Sequence, residues 1–132
     1  MWKVLVVDDN AANRELLIEI LGEHALCDAA VNGRQAMSFY ELTLSGGKAY
    51  DIVLLDIAMP EVDGIEFLKF VRKAETNAGV PPGKGLPIIM VTAFEKLIKN
   101  AFNSGCDDYI LKPVDGAMLL EKIKAKLSSR NG

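Results

Sequence analysis

Residues 51–56 read Asp51-Ile52-Val53-Leu54-Leu55-Asp56, four branched apolar residues in a row that stop on a carboxylate. A short continuous run of Val, Ile and Leu, without polar alternation, is the pattern of a strand buried on both faces of a parallel sheet. Three other runs share it. Val4 to Val7 stops on Asp8-Asp9, Ile88 to Val91 on Thr92, and Tyr109-Ile110-Leu111 on Lys112-Pro113. Ligands of open parallel sheets bind beyond the carboxyl ends of the strands. Four such strands side by side would gather three carboxylates, a hydroxyl and an ammonium on one rim. That is the composition of a magnesium-dependent phosphoryl-transfer site.

Helical patterns fill the spaces between the runs. Asn10 can cap a helix in which Leu16, Leu17, Ile20 and Leu21 recur at helical spacing, closed by Gly22 and His24. A weaker strand signal spans Ala25 to Val31. Gly33 opens a helix with Ala36, Met37, Phe39 and Tyr40 that stops at Ser45-Gly46-Gly47. Asp63-Gly64 starts another, with Ile65, Phe67, Leu68 and Val71. The stretch Glu75 to Leu86, with Pro81, Pro82 and three glycines, reads as a surface loop within the domain. A short helix ends before Gly105, and a last one begins at Asp115 with Leu119, Leu120, Ile123 and Leu127. Five strands alternating with five helices predict a doubly wound α/β sandwich with right-handed crossovers. Spacing alone leaves the strand order open.

The 132 residues are 50% hydrophobic and 25% charged, which suits one compact domain with a well-filled core. A net charge of -3 argues against a nucleic-acid-binding surface. No apolar stretch approaches the ~18 residues needed to cross a membrane. The chain opens on a strand without a charged-then-apolar leader, and this predicts a cytoplasmic location. Cys27 and Cys106 lack CxxC or Cys/His spacing and read as buried thiols. The fingerprints GxGxxG and GxxxxGK[ST] are missing after the first strand, so nothing supports a nucleotide cofactor.

Adjacent carboxylates such as Asp8 and Asp9 repel each other unless a cation sits among them. Magnesium fits, because it takes hard oxygen ligands and retains several waters. Asp8-Asp9 could instead only cap the following helix; Asp56 at the end of the next run weakens that reading. Lys112, if it points inward, supplies a compact positive charge for phosphate oxygens. The Lys112-Pro113 bond is a candidate for the cis form, which would fix the direction of the lysine. Thr92 offers a hydroxyl toward the same space.

The segments VLVVDDN, DIVLLDIAMPEVDG, IIMVTA and CDDYILKP, in this order, resemble the landmarks of a response-regulator receiver domain over essentially the whole chain. That resemblance implies a flavodoxin-like (βα)5 sandwich with a five-stranded parallel sheet of order 2-1-3-4-5. It implies a single receiver domain over 1–132, a stand-alone protein or a piece of a longer one. Carried over position by position, it makes Asp56 the phosphoacceptor and Asp8 and Asp9 the acidic pair for Mg2+ (or Mn2+). The backbone carbonyl of Ala58 becomes a further metal ligand, Lys112 the phosphate-binding lysine, Thr92 the switch hydroxyl and Tyr109 the switch aromatic. The small Ala93 leaves room for the phosphoryl group.

The implied partners are a histidine kinase or histidine phosphotransfer protein and a downstream protein of unknown identity. Asp8-Asp9-Asn10 with Asn13-Arg14 also resembles receivers served by, or fused to, hybrid histidine kinases. Such a domain promotes its own phosphorylation and dephosphorylation without turning over a separate substrate. A phosphorylation-independent binding module of the same fold is an alternative, which the full acidic set and Lys112 argue against. An aspartyl-phosphate phosphatase is another, but its second acid two residues after the nucleophile is replaced here by Ala58. The segment from Thr92 to Lys112 is about two residues shorter than in many family members, so the fourth helix is expected to be short or to start late. Its residues Leu97, Ile98, Ala101 and Phe102 are apolar on more than one side, as a core helix or a partner or homodimer face with the fifth strand would be. His24 reads as an exposed helix end, and the Glu75–Leu86 loop as an insertion away from the site.

Overall fold

The computed structural model describes residues 1–56 and 63–131. Among them, strands β1 (Trp2–Val7), β2 (Ala25–Ala30), β3 (Ile52–Leu55), β4 (Ile88–Thr92) and β5 (Asp108–Leu111) pair in parallel in the order β2-β1-β3-β4-β5. This is the flavodoxin-like order that the resemblance implies. Helices α1 (Ala11–Leu21), α2 (Gly33–Leu44), α3 (Asp63–Asn77), α4 (Ile98–Ser104) and α5 (Gly116–Asn131) alternate with the strands.

The helix starts follow from single side chains. Asn10 Oδ1 accepts from the Asn13 amide at 3.0 Å, and Asn32 Oδ1 from the Gln35 amide at 2.8 Å. Caps of this kind stabilise a helix by roughly 1 kcal/mol. Asp115 does the same ahead of α5, accepting from the Met118 amide at 3.1 Å.

The pleat sorts the apolar runs between two cores. Leu5, Val7, Val53, Leu55, Ile88 and Met90 face α2, α3 and α4, packing on Ala36, Tyr40, Phe67, Leu68, Val71 and Ala101. Val4, Val6, Ile52, Leu54, Ile89, Val91 and Ile110 face α1 and α5, packing on Leu17, Leu21, Leu119 and Ile123. Successive side chains of a strand point to opposite faces, so a run covered on both sides must be apolar at every position. Full burial of each large side chain contributes about 1.5–3 kcal/mol.

Three expectations need correction. Leu16 is exposed, because α1 turns Leu17 and Leu21 to the sheet. Glu75 is not loop: α3 continues to Asn77, and the Glu75 carboxylate accepts from the Leu86 amide at 2.6 Å, tying the loop down. Cys27 is only half-buried, since β2 is an edge strand, whereas Cys106 is buried. The short fourth helix is as expected: a 3-10 turn, Glu95–Leu97, precedes the seven residues of α4. His24 is exposed, and its ring stacks on Trp2 with centroids 5.7 Å apart.

Candidate functional site

The parallel register makes the carboxyl ends of the strands flush. Val7 is paired with Leu55 and Leu55 with Met90, while Thr92 is paired with Leu111. The next residues continue the ladders: the Asp56 amide donates to the Val7 carbonyl at 2.9 Å, and the Lys112 amide to the Thr92 carbonyl at 2.9 Å. Asp8, Asp56 and Lys112 share the pleat parity of Val6, Leu54 and Ile110, which lie on the α1/α5 face. Residues 104 apart in the chain are thereby brought to one place.

The side chains meet there. Lys112 Nζ donates to Asp8 Oδ2 at 3.1 Å and to Asp56 Oδ2 at 3.2 Å. Asp8, Asp9 and Asp56 each place a carboxylate oxygen within 4.8 Å of the others. Among the described residues, the buried polar side chains belong to Asp8 (0% exposed), Asp56 (5%) and Thr92 (0%). Buried charge is costly unless paired, so its confinement to one rim marks a site rather than a core. Burial alone would push the Lys112 ammonium down, but the Asp56 and Asp8 carboxylates outweigh it and hold the group above the ordinary lysine value. Lys112 therefore stays charged. Its peptide bond to Pro113 is cis.

Neighbouring groups hold Asp8. The Asn10 amide donates to Asp8 Oδ1 at 2.9 Å, and Arg14 Nη1 to the Asp8 carbonyl at 2.8 Å. The sequence offers no spacing rule for the Arg14 contact, which depends on how α1 leaves the strand. Asp9 is exposed beside the two buried acids. An all-oxygen donor set with excess negative charge and one solvent-facing ligand fits magnesium or manganese. Ala58, expected as a further ligand through its carbonyl, lies outside the described residues.

Thr92 and Tyr109 are placed differently. The buried Thr92 Oγ1 accepts from the Phe94 amide at 3.2 Å. Tyr109 stands outward, edge-on to Phe102 with ring centroids 6.2 Å apart, and Lys122 Nζ lies 5.3 Å above its ring. Leu97 and Ile98 pack inward while Phe102 joins Tyr109 at the surface, so the apolar sides of α4 divide between core and exposed face. Beside Lys112, an apolar groove of about 470 Å³ runs between Leu16 and Leu17 of α1 and Pro113-Val114.

Among the described residues, no helix is long and apolar enough to cross a membrane.

Comparison with known proteins agrees with this geometry. The chain is 37% identical over 128 residues to hybrid signal transduction histidine kinase I of Dictyostelium discoideum, covering 95% of this chain and 7% of that protein. It is 34% identical over 128 residues to the chemotaxis protein CheY of Treponema pallidum, covering 96% of this chain and 83% of that one. The chain thus spans less than a tenth of the hybrid kinase but most of the chemotaxis protein. A CheY-like receiver domain structure from Methanospirillum hungatei superposes with a TM-score of 0.79 at 30% identity, covering 99% of this chain and 97% of the other. The model of the response regulator receiver domain matches residues 4–124, and the chain belongs to that family of two-component signalling domains.

Proposed function

We propose that this domain accepts a phosphoryl group on Asp56 from a phosphohistidine of a kinase or phosphotransfer protein, and signals through the face made by α4, β5 and α5. The observation that carries this reading is the bridge of Lys112 Nζ between Asp8 and Asp56, at 3.1 and 3.2 Å, over a cluster of three carboxylates.

Asp8, Asp9 and Asp56 would hold a magnesium ion, which supplies neutralising charge for the phosphoryl oxygens. The Asp56 carboxylate attacks phosphorus in line. The new O–P bond forms as the N–P bond of phosphohistidine breaks, and the electron pair returns to the imidazole. Such a transfer needs positioning and charge neutralisation more than covalent help. Lys112, already aimed at Asp56, neutralises a phosphoryl oxygen. Water later opens the acyl phosphate and restores the carboxylate. The groove gives a donor protein an apolar surface next to Lys112, which itself contacts Asp56.

Phosphorylation adds about -1.5 to -2 charge. Inverting a 1:99 equilibrium takes about 5.5 kcal/mol of differential stabilisation. Charge-assisted hydrogen bonds contribute roughly 1.5–3 kcal/mol each, so two or three new contacts suffice. Thr92 supplies one by turning its hydroxyl to the phosphoryl group, which releases the Phe94 amide. Tyr109, on the neighbouring strand, reports the change at the surface.

Intact-mass measurement with magnesium and a small acyl phosphate tests the reading. The parent gains one phosphoryl mass and Asp56→Asn gains none. A parent that gains none from either the acyl phosphate or a phosphorylated histidine protein, or an Asp56→Asn that still gains it, overturns the assignment.

A further inference from the structure

The two ends of α4 are built in opposite ways. At its start, Phe94 has extended backbone (φ -112°, ψ 99°), and neither Phe94 nor Leu97 caps the following turn with a side-chain hydrogen bond. Residues 93–96 are exposed. The hydrogen bond from this start to the sheet is the amide of Phe94 on the Thr92 hydroxyl, while Leu97 and Ile98 pack on the core from its first turn.

The other end is clasped. Gly105 is left-handed (φ 111°, ψ 17°), and the Gly105 and Cys106 amides donate back to Phe102 and Ala101 at 3.1 Å. The Gly105 carbonyl accepts Arg72 Nε at 2.8 Å. The same guanidinium donates through Nη1 to Glu75 Oε1 at 2.8 Å and through Nη2 to Asp107 Oδ2 at 2.9 Å. Both acids then hold the entry to β4: Glu75 accepts from the amide of Leu86, just ahead of the strand, at 2.6 Å and Asp107 from the Ile88 amide at 2.7 Å. One side chain of α3 therefore joins the end of α4 to the starts of β4 and β5. The Arg72 stem lies so close that a Cβ on Gly105 would come within 2.7 Å of its Cγ. The Arg72 side chain is 23% exposed and that of Glu75 12%.

We infer that Arg72 is a fixed anchor for the switch, so that residues 93–100 rearrange on activation while residues 101–107 stay in place. The inference rests on the proposed phosphorylation of Asp56. Movement at the start of α4 breaks no side-chain cap, and a turn of Thr92 frees it directly. Movement at the far end would separate the guanidinium from the Asp107 carboxylate and the Gly105 carbonyl, and would take from the Ile88 amide its acceptor. Local opening is drawn from the end with least to lose.

Amide hydrogen exchange, read with and without magnesium and beryllofluoride as phosphoryl mimic, tests the anchor. In the parent, exchange at residues 93–100 should change by about tenfold or more, and at 101–107 by less than about twofold. Arg72→Met, which keeps the stem over Gly105, should spread the change through residue 107 with the response at 93–100 retained. If that variant does not fold, Asp107→Asn weakens the same clasp and should show the same spreading. A parent that responds equally in both segments, or a folded variant with the parent's pattern, overturns the anchor. A parent that responds nowhere, and so behaves like Asp56→Asn, instead overturns the phosphoacceptor reading on which the anchor stands.

Discussion

Lys112 Nζ lies 3.2 Å from Asp56 Oδ2, across 56 positions of sequence, and both side chains are mostly withdrawn from water. The contact holds a lysine at the end of an edge strand over the carboxylate at the end of the central one. Asp8, 3.1 Å from the same ammonium, makes the lysine a shared counter-charge. Its removal would leave two buried acids facing each other.

Lys112→Met should therefore lose about 2–4 kcal/mol of stability, the cost of stranding buried charge, tempered by the partial exposure of the lysine. Millimolar magnesium should restore part of the loss, because a cation among the carboxylates replaces the ammonium. Thermal melting with and without magnesium reads both effects. A melting temperature indifferent to magnesium in this variant would contradict the metal assignment.

If Thr92 is the proposed switch, Thr92→Ala should leave phosphorylation of Asp56 within about tenfold of the parent while removing most of the gain in affinity for the downstream partner, since the hydroxyl would contribute about one charge-assisted hydrogen bond to the phosphorylated state. Mass spectrometry measures the first and partner titration the second. A variant with the parent's phosphorylation-dependent affinity would remove Thr92 from the switch.

Cys106 gives a pH signature. Burial, with Asp107 adding to it, pushes the thiol up from its ordinary 9.0 to about 11. At pH 8 its thiolate fraction falls roughly a hundredfold below that of an unperturbed cysteine, and alkylation of the folded protein should slow in proportion. The folded value lies above the unfolded one, so this group's contribution is fully present below about pH 9. It is lost as pH rises through about 11. Cys106→Ser should flatten that alkaline decline in a chemical denaturation series.

Gly105→Ala tests the packing at the end of α4. The left-handed backbone (φ 111°) disfavours a side chain, and the new Cβ would press on Arg72. A loss of about 1–3 kcal/mol is expected, measured by denaturant titration. A neutral substitution would show that neither the backbone nor the Arg72 stem resists a side chain at this position.

Much of the architecture was legible because its causes are local. Val4 to Val7, Ile52 to Leu55 and Ile88 to Val91 are apolar at every position, which a parallel strand covered on both faces requires. Asn10 and Asp115 cap the helices they precede. The polar residues that end the runs were visible for the same reason. The strand order came from resemblance, since the runs themselves look alike.

What stayed hidden depends on groups far apart in the chain. Arg72 and Glu75, three apart on a helix, could be read as an ordinary surface pair. Only the fold brings Gly105, Asp107, Leu86 and Ile88 to them and turns the Glu75–Leu86 stretch from a free loop into a fastened one. Leu16 and Leu17 are equivalent as letters, and the tilt of α1 on the sheet decided that Leu17 is buried. By itself the sequence determined which residues end the strands and which chemistry they can perform, because strand burial and side-chain chemistry are properties of short segments. The tertiary structure alone decided that Lys112 points inward, that Asp8 and Asp56 are buried while Asp9 is exposed, and that Arg14 holds the Asp8 carbonyl. Those outcomes follow from the register of neighbouring strands and the packing of α1, which no single segment contains.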